Sequence, residues 1–330
     1  MPVECTFRFL VGPTASGKSE TGMLLAEEFG AEIISLDSMA VFRGMNIGTA
    51  KSSANDKANL PHHMVDVADP WESYSVAKYV RQAQEVVRDI LARGKAVLFV
   101  GGTGLYIKRF VEGIFEGPQA NREFRQECRE RAVCEGVDAL HEELRTVDPE
   151  TAERLHPNDI MRVIRALEVH HITGKPQSML QAEGRRIFDA ERREFFGVDS
   201  IEYLMCAINR EREDLNNRIN RRVNKMFASG LIDEVVGLAE NSRQHLASSH
   251  HRLGPQADKA LGYKEVLAFL NGEISQEDAI EQTKLHTRQF ATKQMTWFRN
   301  FPAMQQIEVN SFDDAHSVAQ VAADVLRKES

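Results

Sequence analysis

The chain has little of what marks a secreted protein or a zinc-binding protein. Its 330 residues include only four cysteines, at Cys5, Cys128, Cys134 and Cys206. None of them forms a C-x-x-C pair, and no cysteine–histidine cluster has the spacing of a zinc site. The sequence therefore predicts scattered, reduced thiols and a cytoplasmic location.

Long apolar runs and an excess of basic residues are also missing. No apolar run approaches the roughly 18–20 residues that span a bilayer, and no basic stretch followed by an apolar segment opens the chain. We therefore expect no membrane association and no signal peptide. The net charge is -8, so any binding of nucleic acid must come from local basic patches. Nothing in the sequence demands a partner subunit, and a monomer is expected.

A glycine-rich loop close to the start of the chain is the first feature that carries chemistry. Residues 12–19, GPTASGKS, match the pattern G-x-x-x-x-G-K-[S/T]. An apolar run, Thr6–Val11, precedes the loop, and Lys18–Phe29 follows it with helical spacing and ends at Gly30. Strand, loop and helix together present backbone N–H groups to an anion. The predicted phosphate-binding residues are Gly12, Pro13, Thr14, Ala15, Ser16, Gly17, Lys18 and Ser19, with the Ser19 hydroxyl on Mg²⁺; the alternative is a tight strand-to-helix turn.

The position of the acidic residues argues against nucleotide hydrolysis. P-loop hydrolases usually carry an acid at the end of a later strand, but Ala96–Val100 runs into GGTGLY without Asp or Glu. Asp37 instead follows an earlier apolar run, Glu32–Leu36, at the strand end where a parallel sheet places its chemistry. Asp37 is therefore predicted to be a reacting group that faces the loop, with capping of the next turn as the alternative.

Six blocks of sequence, in this order, resemble the tRNA dimethylallyltransferases, also called tRNA isopentenyltransferases. They are GPTASGKS, SLDSMAVFRGMNIGTAK, LPHHMVDVADPWESYSVAKY, VGGTGLYIK, HPNDIMRVIRALEV and ALGYKEV, and the similarity covers about residues 8–300. That family transfers a five-carbon prenyl group from dimethylallyl diphosphate to N6 of the adenine 3′ of the anticodon. The resemblance implies that the loop holds the isoprenoid diphosphate, with Mg²⁺, rather than ATP. Phe42, Asn46 and Ser52 stand where the family more often has Tyr, Asp and Pro.

The resemblance also implies catalytic roles. Asp37 would be the general base that takes a proton from the adenine amine, and Thr103 would donate to the bridging oxygen of the leaving diphosphate. Arg218, Arg221, Arg222 and Lys225 share one face of a predicted helix that Gly230 closes. From the residues alone this stripe could equally be a solvated surface; the resemblance sends Arg222, with Arg218 as a further candidate, to the diphosphate.

Contacts with the tRNA anticodon stem-loop are implied by the same resemblance. HPNDIMRVIR predicts a helix that is capped by Asn158 or Asp159 and runs to about Ile172. Ser275–Asp278 predicts a capping box for a helix near the C-terminus. The implied tRNA-binding residues are Asp37, Ser38, Met39, Ala40, Thr103, Arg125, Met161, Arg162, Val163, Ile164, Arg165, Lys259 and Lys264.

The predicted fold is α/β, a P-loop NTPase-like core with a parallel sheet and a mostly helical insertion domain. The core comprises residues 1–114 and 196–330, including the C-terminal helices, and residues 115–195 form the insertion that contacts tRNA. Phe195–Val198 is predicted to be a short strand that returns the chain to the sheet. Two other functions stay open: prenyl transfer to free adenine nucleotides, which the insertion and basic helices disfavour, and a P-loop kinase or ATPase, which the missing acid disfavours.

Overall fold

The computed structural model describes residues 4–52, 60–113, 117–246 and 252–327, apart from the side chains of residues 185–188. Its strands are β1 (Glu4–Val11), β2 (Ala31–Leu36), β3 (His62–His63), β4 (Ala96–Gly101), β5 (Ser200–Arg210) and β6 (Met304–Val309). They pair in parallel in the order β3–β2–β4–β1–β5–β6. The predicted parallel α/β fold is confirmed.

The helices account for most of the remaining chain. In chain order they are α1 (Lys18–Phe29), α2 (Val76–Ala92), α3 (Gly104–Glu112), α4 (Arg122–Glu135), α5 (Val137–Val147), α6 (Pro149–Arg154), α7 (Ile160–Thr173), α8 (Gln177–Phe196), α9 (Arg212–Ala228), α10 (Leu231–Ser242), α11 (Tyr263–Leu270), α12 (Gln276–Arg299) and α13 (Ala315–Leu326). Two compact units result, one of residues 1–108 and 195–330 and one of residues 109–194. The boundary at which the smaller unit begins therefore lies inside α3, at residue 109, whereas the sequence predicted it at residue 115.

The core of the larger unit follows from strands that are apolar almost throughout. Phe7, Phe9 and Phe99 are fully buried, and the rings of Phe9 and Phe99 stack with their centroids 4.5 Å apart. Leu10 and Leu25 belong to a buried cluster that joins β1, α1 and α13. Both faces of the central strands are thereby covered, as parallel sheets require, and the functional loops lie at their carboxyl ends.

The prediction of a short strand at Phe195–Val198 is wrong. Phe195 and Phe196 complete the last turn of α8, and β5 begins only at Ser200. The ring of Phe196 packs edge-on against Phe7, with centroids 5.5 Å apart. Gly197 has a φ of +67°, which ends the helix and turns the chain toward the sheet. The apolar pair therefore packs from a helix rather than pairing as a strand.

The smaller unit has its own core, built from α4 to α7. Its buried residues are Cys128, Leu140, Leu144, Ala152, Val163, Ile164, Ala166 and Leu167. Helix α7 begins after Asp159, as predicted, but the Asp159 side chain makes no capping hydrogen bond. It pairs instead with Arg162, at 2.5 Å. The predicted capping box of α12 is confirmed, because Ser275 and Asp278 each accept the other's backbone N–H.

Candidate active site

The glycine-rich loop joins β1 to α1 and has two residues with left-handed backbone conformations. Glycine adopts this conformation easily, whereas alanine is strained in it. Gly17 has a φ of +96° and Ala15 a φ of +65°. Arg218 Nε donates to the Ala15 carbonyl at 2.8 Å, and Arg210 Nε donates to the Ser16 carbonyl at 2.7 Å. These contacts compensate for the strain at Ala15. The structure thus gives Arg218 a contact that holds the loop itself.

The loop opens onto a cavity of about 460 Å³ in the larger unit. Ten of the residues predicted from the sequence line it: Thr14, Lys18, Ser19, Asp37, Ser38, Met39, Ala40, Thr103, Arg222 and Lys259. Five loop residues, Gly12, Pro13, Ala15, Ser16 and Gly17, and also Lys264 lie outside this lining. The cavity therefore brings the cations of the loop region and the carboxylate of Asp37 into one space.

The positive charge of Arg222 disfavours the charged form of Lys18 in the cavity. Burial, together with the positive charge of Arg222, lowers the pKa of Lys18 to about 8. Burial also lowers the pKa of Arg222, while Asp37 opposes that shift. Lys18 Nζ donates to the Pro13 carbonyl at 3.1 Å, and Arg222 donates to the Thr49 carbonyl at 3.2 Å. Two half-buried positive charges beside one carboxylate form a site that a multiply charged anion would stabilise.

Asp37 is held by one of its oxygens only. Its Oδ1 accepts from the backbone N–H groups of Met39, at 2.8 Å, and Ala40, at 3.1 Å. The turn-capping role considered for this residue is therefore real. Its Oδ2 accepts no hydrogen bond from the residues described, and the side chain lines the cavity. One oxygen fixes the carboxylate while the other is available to a ligand.

Thr103 lies beside Asp37 because β2 and β4 are neighbours whose ends are tied together. The N–H groups of Gly102 and Thr103 donate to the Leu36 carbonyl, at 3.1 and 3.0 Å. Thr103 Oγ1 accepts from the Ser38 N–H at 3.1 Å. Because that oxygen is used as an acceptor, the hydroxyl proton of Thr103 can be donated into the cavity.

Helix α12 forms a wall of the cavity that the sequence did not assign. Thr283, His286, Thr287, Phe290 and Gln294 line the cavity with helical spacing. Their signal in the sequence is a stripe of mostly polar side chains at positions where a packed helix is normally apolar. Two basic residues of this helix have contacts outside the cavity: Lys284 pairs with Glu281, and Arg288 donates to Asn220.

A second residue that the sequence did not reveal, Glu234 of α10, braces the loop that holds Arg222. Its carboxylate accepts from the backbone N–H groups of Asn46, at 3.0 Å, and Ile47, at 2.8 Å. The Tyr263 hydroxyl donates to the same carboxylate at 2.6 Å. Since this loop supplies the Thr49 carbonyl that accepts a hydrogen bond from Arg222, Glu234 fixes the position of the Arg222 side chain indirectly.

In the smaller unit, a buried carboxylate organises two of the predicted tRNA contacts. Glu168 is fully buried and accepts from Arg125 at 2.8 Å, from Arg165, and from the Asn121 N–H at 2.7 Å. Burial raises the pKa of Glu168, but the hydrogen bonds from Arg125 and Arg165 outweigh it and hold the pKa below its usual value. Each arginine keeps part of its side chain at the surface.

The predicted stretch Met161–Arg165 divides between surface and core. Val163 and Ile164 are 0% and 3% exposed and pack inside the smaller unit. Met161 is 58% exposed, and Arg162 is exposed beside Asp159. The side chains that this stretch presents outward are therefore Met161, Arg162 and part of Arg165, while Val163 and Ile164 hold α7 in place.

We expect Glu168→Gln to lower the free energy of unfolding by about 1–3 kcal/mol. The amide keeps an acceptor but loses the charge and fork geometry that hold both arginines. Their partial exposure limits the loss, since water can solvate them. Denaturant unfolding of the full chain measures the effect, with exposed Glu130→Gln on α4 as the matched control. Equal stability of the two variants would contradict the role given to Glu168.

Magnesium fits the site only together with an anion. Among the described residues, no group of three or more His, Cys, Asp or Glu side chains could hold a metal ion. Ser19 is exposed at the cavity and contributes one hydroxyl, and Asp37 is the carboxylate in the lining. Mg²⁺ commonly takes one or two protein oxygens and completes its shell with water and substrate phosphates. The donor set thus suits a metal that arrives with a diphosphate.

No helix within the described ranges has both the length and the hydropathy of a membrane span.

A strand, a phosphate loop and a helix at the carboxyl end of a parallel sheet define a P-loop α/β protein, here with Asp37 in the lining of its cavity. The chain belongs to the IPP transferase family, whose model matches residues 40–301. It is 44% identical over 309 residues to a tRNA dimethylallyltransferase of Geobacter sulfurreducens, covering 93% of this chain and 94% of the relative.

Two solved structures share the fold over almost the whole chain. A full-length tRNA isopentenylpyrophosphate transferase of Bacillus halodurans is 35% identical, with a TM-score of 0.66 over 97% of this chain and 96% of its own. A eukaryotic dimethylallyltransferase acting on tRNA is 25% identical, with a TM-score of 0.76 over 97% of this chain and 77% of its own. The resemblance read from the six sequence blocks is confirmed.

Proposed function

We propose that this protein transfers the dimethylallyl group of dimethylallyl diphosphate to N6 of the adenine 3′-adjacent to the anticodon in tRNA, and releases diphosphate. The observation that carries the proposal is the arrangement of Asp37, with one oxygen fixed and one free, in the same cavity as Lys18, Arg222 and Thr103. The relatives, which are named for this activity, support the same conclusion.

The reaction follows from the positions of these groups. The lone pair of adenine N6 attacks C1 of the prenyl group, and the C1–O bond breaks with its electrons leaving on the diphosphate. Asp37 accepts the proton that N6 loses, which makes the amine a better nucleophile as the new bond forms. Thr103 donates its hydroxyl proton to the bridging oxygen, and Lys18 and Arg222 stabilise the charge that develops on the leaving group.

The Ser19 hydroxyl would hold Mg²⁺, which would supply further positive charge to the leaving group. The amides of the glycine-rich loop, from Gly12 to Ser19, are proposed to receive the diphosphate oxygens as a helix N-terminus receives an anion. Arg218, which already holds the Ala15 carbonyl, keeps that loop in shape.

Basic side chains that reach the surface of each unit are proposed to hold the tRNA anticodon stem-loop. In the larger unit they are Lys259 and Lys264, and Ser38, Met39 and Ala40 lie beside the carboxylate that meets the base. In the smaller unit they are Arg125, Arg162 and Arg165, together with Met161. Phosphate contacts of this kind position RNA without reading its sequence. We further propose a cytoplasmic monomer that binds no membrane.

One competition assay separates this function from the alternatives. Unmodified tRNA, free AMP and labelled dimethylallyl diphosphate are incubated together with the protein, and the labelled product is identified. We expect the label on tRNA and none on AMP. Label on AMP alone would instead indicate an adenylate prenyltransferase. ATP hydrolysis without prenyl transfer would indicate a kinase or ATPase.

A further inference from the structure

One side chain of α12, Gln294, contacts both loops of the cavity at once. Its Oε1 accepts from the Thr14 N–H at 3.0 Å, and its Nε2 donates to the Gly102 carbonyl at 2.9 Å. Gln294 is 7% exposed and belongs to the cavity lining. The two backbone groups settle which way the amide points, because an N–H can only donate and a carbonyl can only accept.

We propose that Gln294 is a positioning residue for prenyl transfer, which holds the loop that receives the diphosphate in register with the turn that carries Thr103. This inference rests on the proposed function. Gly102 precedes Thr103, and their N–H groups share the Leu36 carbonyl as acceptor. A shift of Gly102 would therefore move the Thr103 hydroxyl relative to the bridging oxygen of a bound diphosphate.

The glycines around Thr103 fit the same role. A Cβ atom at Gly102 would collide with Gln294 Nε2, and a Cβ atom at Gly104 would lie 2.5 Å from the Trp297 ring. Gln294 and Trp297 are three residues apart and so share a face of α12. The turn thus contains glycine on both sides of Thr103 because this face of the helix packs directly against its backbone.

The two hydrogen bonds can be separated by substitution. Gln294→Glu keeps an acceptor for the Thr14 N–H but loses the donor to the Gly102 carbonyl, and sets a second oxygen against it. The substitution should therefore disturb Thr103 and leave the phosphate loop in place. Gln294→Met keeps the length of the side chain but loses both hydrogen bonds, so both loops should be disturbed.

The experiment measures kcat and KM for dimethylallyl diphosphate with a tRNA substrate, the Kd for inorganic diphosphate by calorimetry, and the melting temperature. For Gln294→Glu we expect kcat to fall about 10- to 100-fold, with KM and the diphosphate Kd changed less than about threefold. For Gln294→Met we expect at least the same fall in kcat and weaker diphosphate binding as well. Gln282→Glu makes the same chemical change on α12 outside the cavity and is expected to match the wild type.

A folded Gln294→Glu protein with wild-type kcat would overturn the inference. The inference would also be overturned if Gln294→Glu changed kcat, KM and the diphosphate Kd by one common factor, because the substitution would then disturb both loops together. If Gln294→Glu does not fold, wild-type kcat in Gln294→Met overturns the inference instead. A wild-type protein that binds diphosphate but prenylates no tRNA would refute the proposed function, whereas an active wild type with unaffected variants would refute this inference alone.

Discussion

Replacing Asp37 by Asn is expected to lower kcat for prenyl transfer about 10²- to 10⁴-fold, because the side chain can no longer accept the proton from adenine N6. The amide oxygen can still accept from the Met39 and Ala40 N–H groups, so the turn should keep its shape. The affinity for tRNA should therefore change less than about threefold. Single-turnover transfer and a separate tRNA-binding titration, both with saturating dimethylallyl diphosphate, measure the two quantities.

A matched control exists on α13. Asp314 likewise caps a backbone turn, since its Oδ1 accepts from the Ser317 N–H at 2.8 Å, but it lies outside the cavity. Asp314→Asn is expected to leave the single-turnover rate at the wild-type value. If Asp37→Asn lost tRNA binding and transfer by the same factor, Asp37 would be a binding residue and its assignment as the base would be wrong.

The parts of the site that the sequence predicts are those set by local backbone chemistry. The phosphate loop can be recognised within eight residues, because its glycines, its lysine and its strand–helix context are local features of the sequence. Asp37 could be placed for a similar reason, since the carboxyl end of a parallel strand is where a ligand-facing carboxylate is expected. In both cases the residue types and their position at the end of a strand were sufficient to predict where the feature lies in the fold.

The parts that the sequence did not reveal depend on contacts between distant segments. Gln294 reaches Thr14 across 280 positions, Arg218 reaches Ala15 across 203, and Glu234 reaches Ile47 across 187. No local pattern distinguishes a glutamine or glutamate that meets such a partner from one that faces water. Val163 and Ile164 illustrate the converse, because a block of sequence that resembles a binding segment also contains the residues that pack it into the core.

Replacing Lys18 by Met is expected to lower kcat/KM for dimethylallyl diphosphate about 10²- to 10³-fold, since a charge that faces the leaving diphosphate is lost. Lys225→Met is the matched control, because Lys225 is exposed on the same basic stripe as Arg222 and lies outside the cavity. The control should keep the wild-type kcat/KM. Equal values for Lys18→Met and the wild type would remove Lys18 from the diphosphate site.

The pH dependence gives the sharper test of the same residue. The pKa of Lys18 is lowered to about 8, so its proton is lost as the pH rises through 8, and the charge that attracts diphosphate is present only below that pH. The terminal phosphate of dimethylallyl diphosphate loses its last proton near about pH 6, so this ligand does not itself titrate above pH 8. The wild-type Kd for dimethylallyl diphosphate, measured without tRNA, should therefore rise above pH 8, by up to about tenfold per pH unit, whereas Lys18→Met should show no such rise.

The pH at which the Kd begins to rise should also depend on Arg222. The positive charge of Arg222 is one of the causes that lower the pKa of Lys18, after burial. Arg222→Ala removes it, so Lys18 should keep its proton to higher pH and the rise in Kd should begin at higher pH, although binding is weaker throughout. An unchanged onset would mean that the two side chains do not interact, and a rise that persists in Lys18→Met would assign the titration to another group in the cavity.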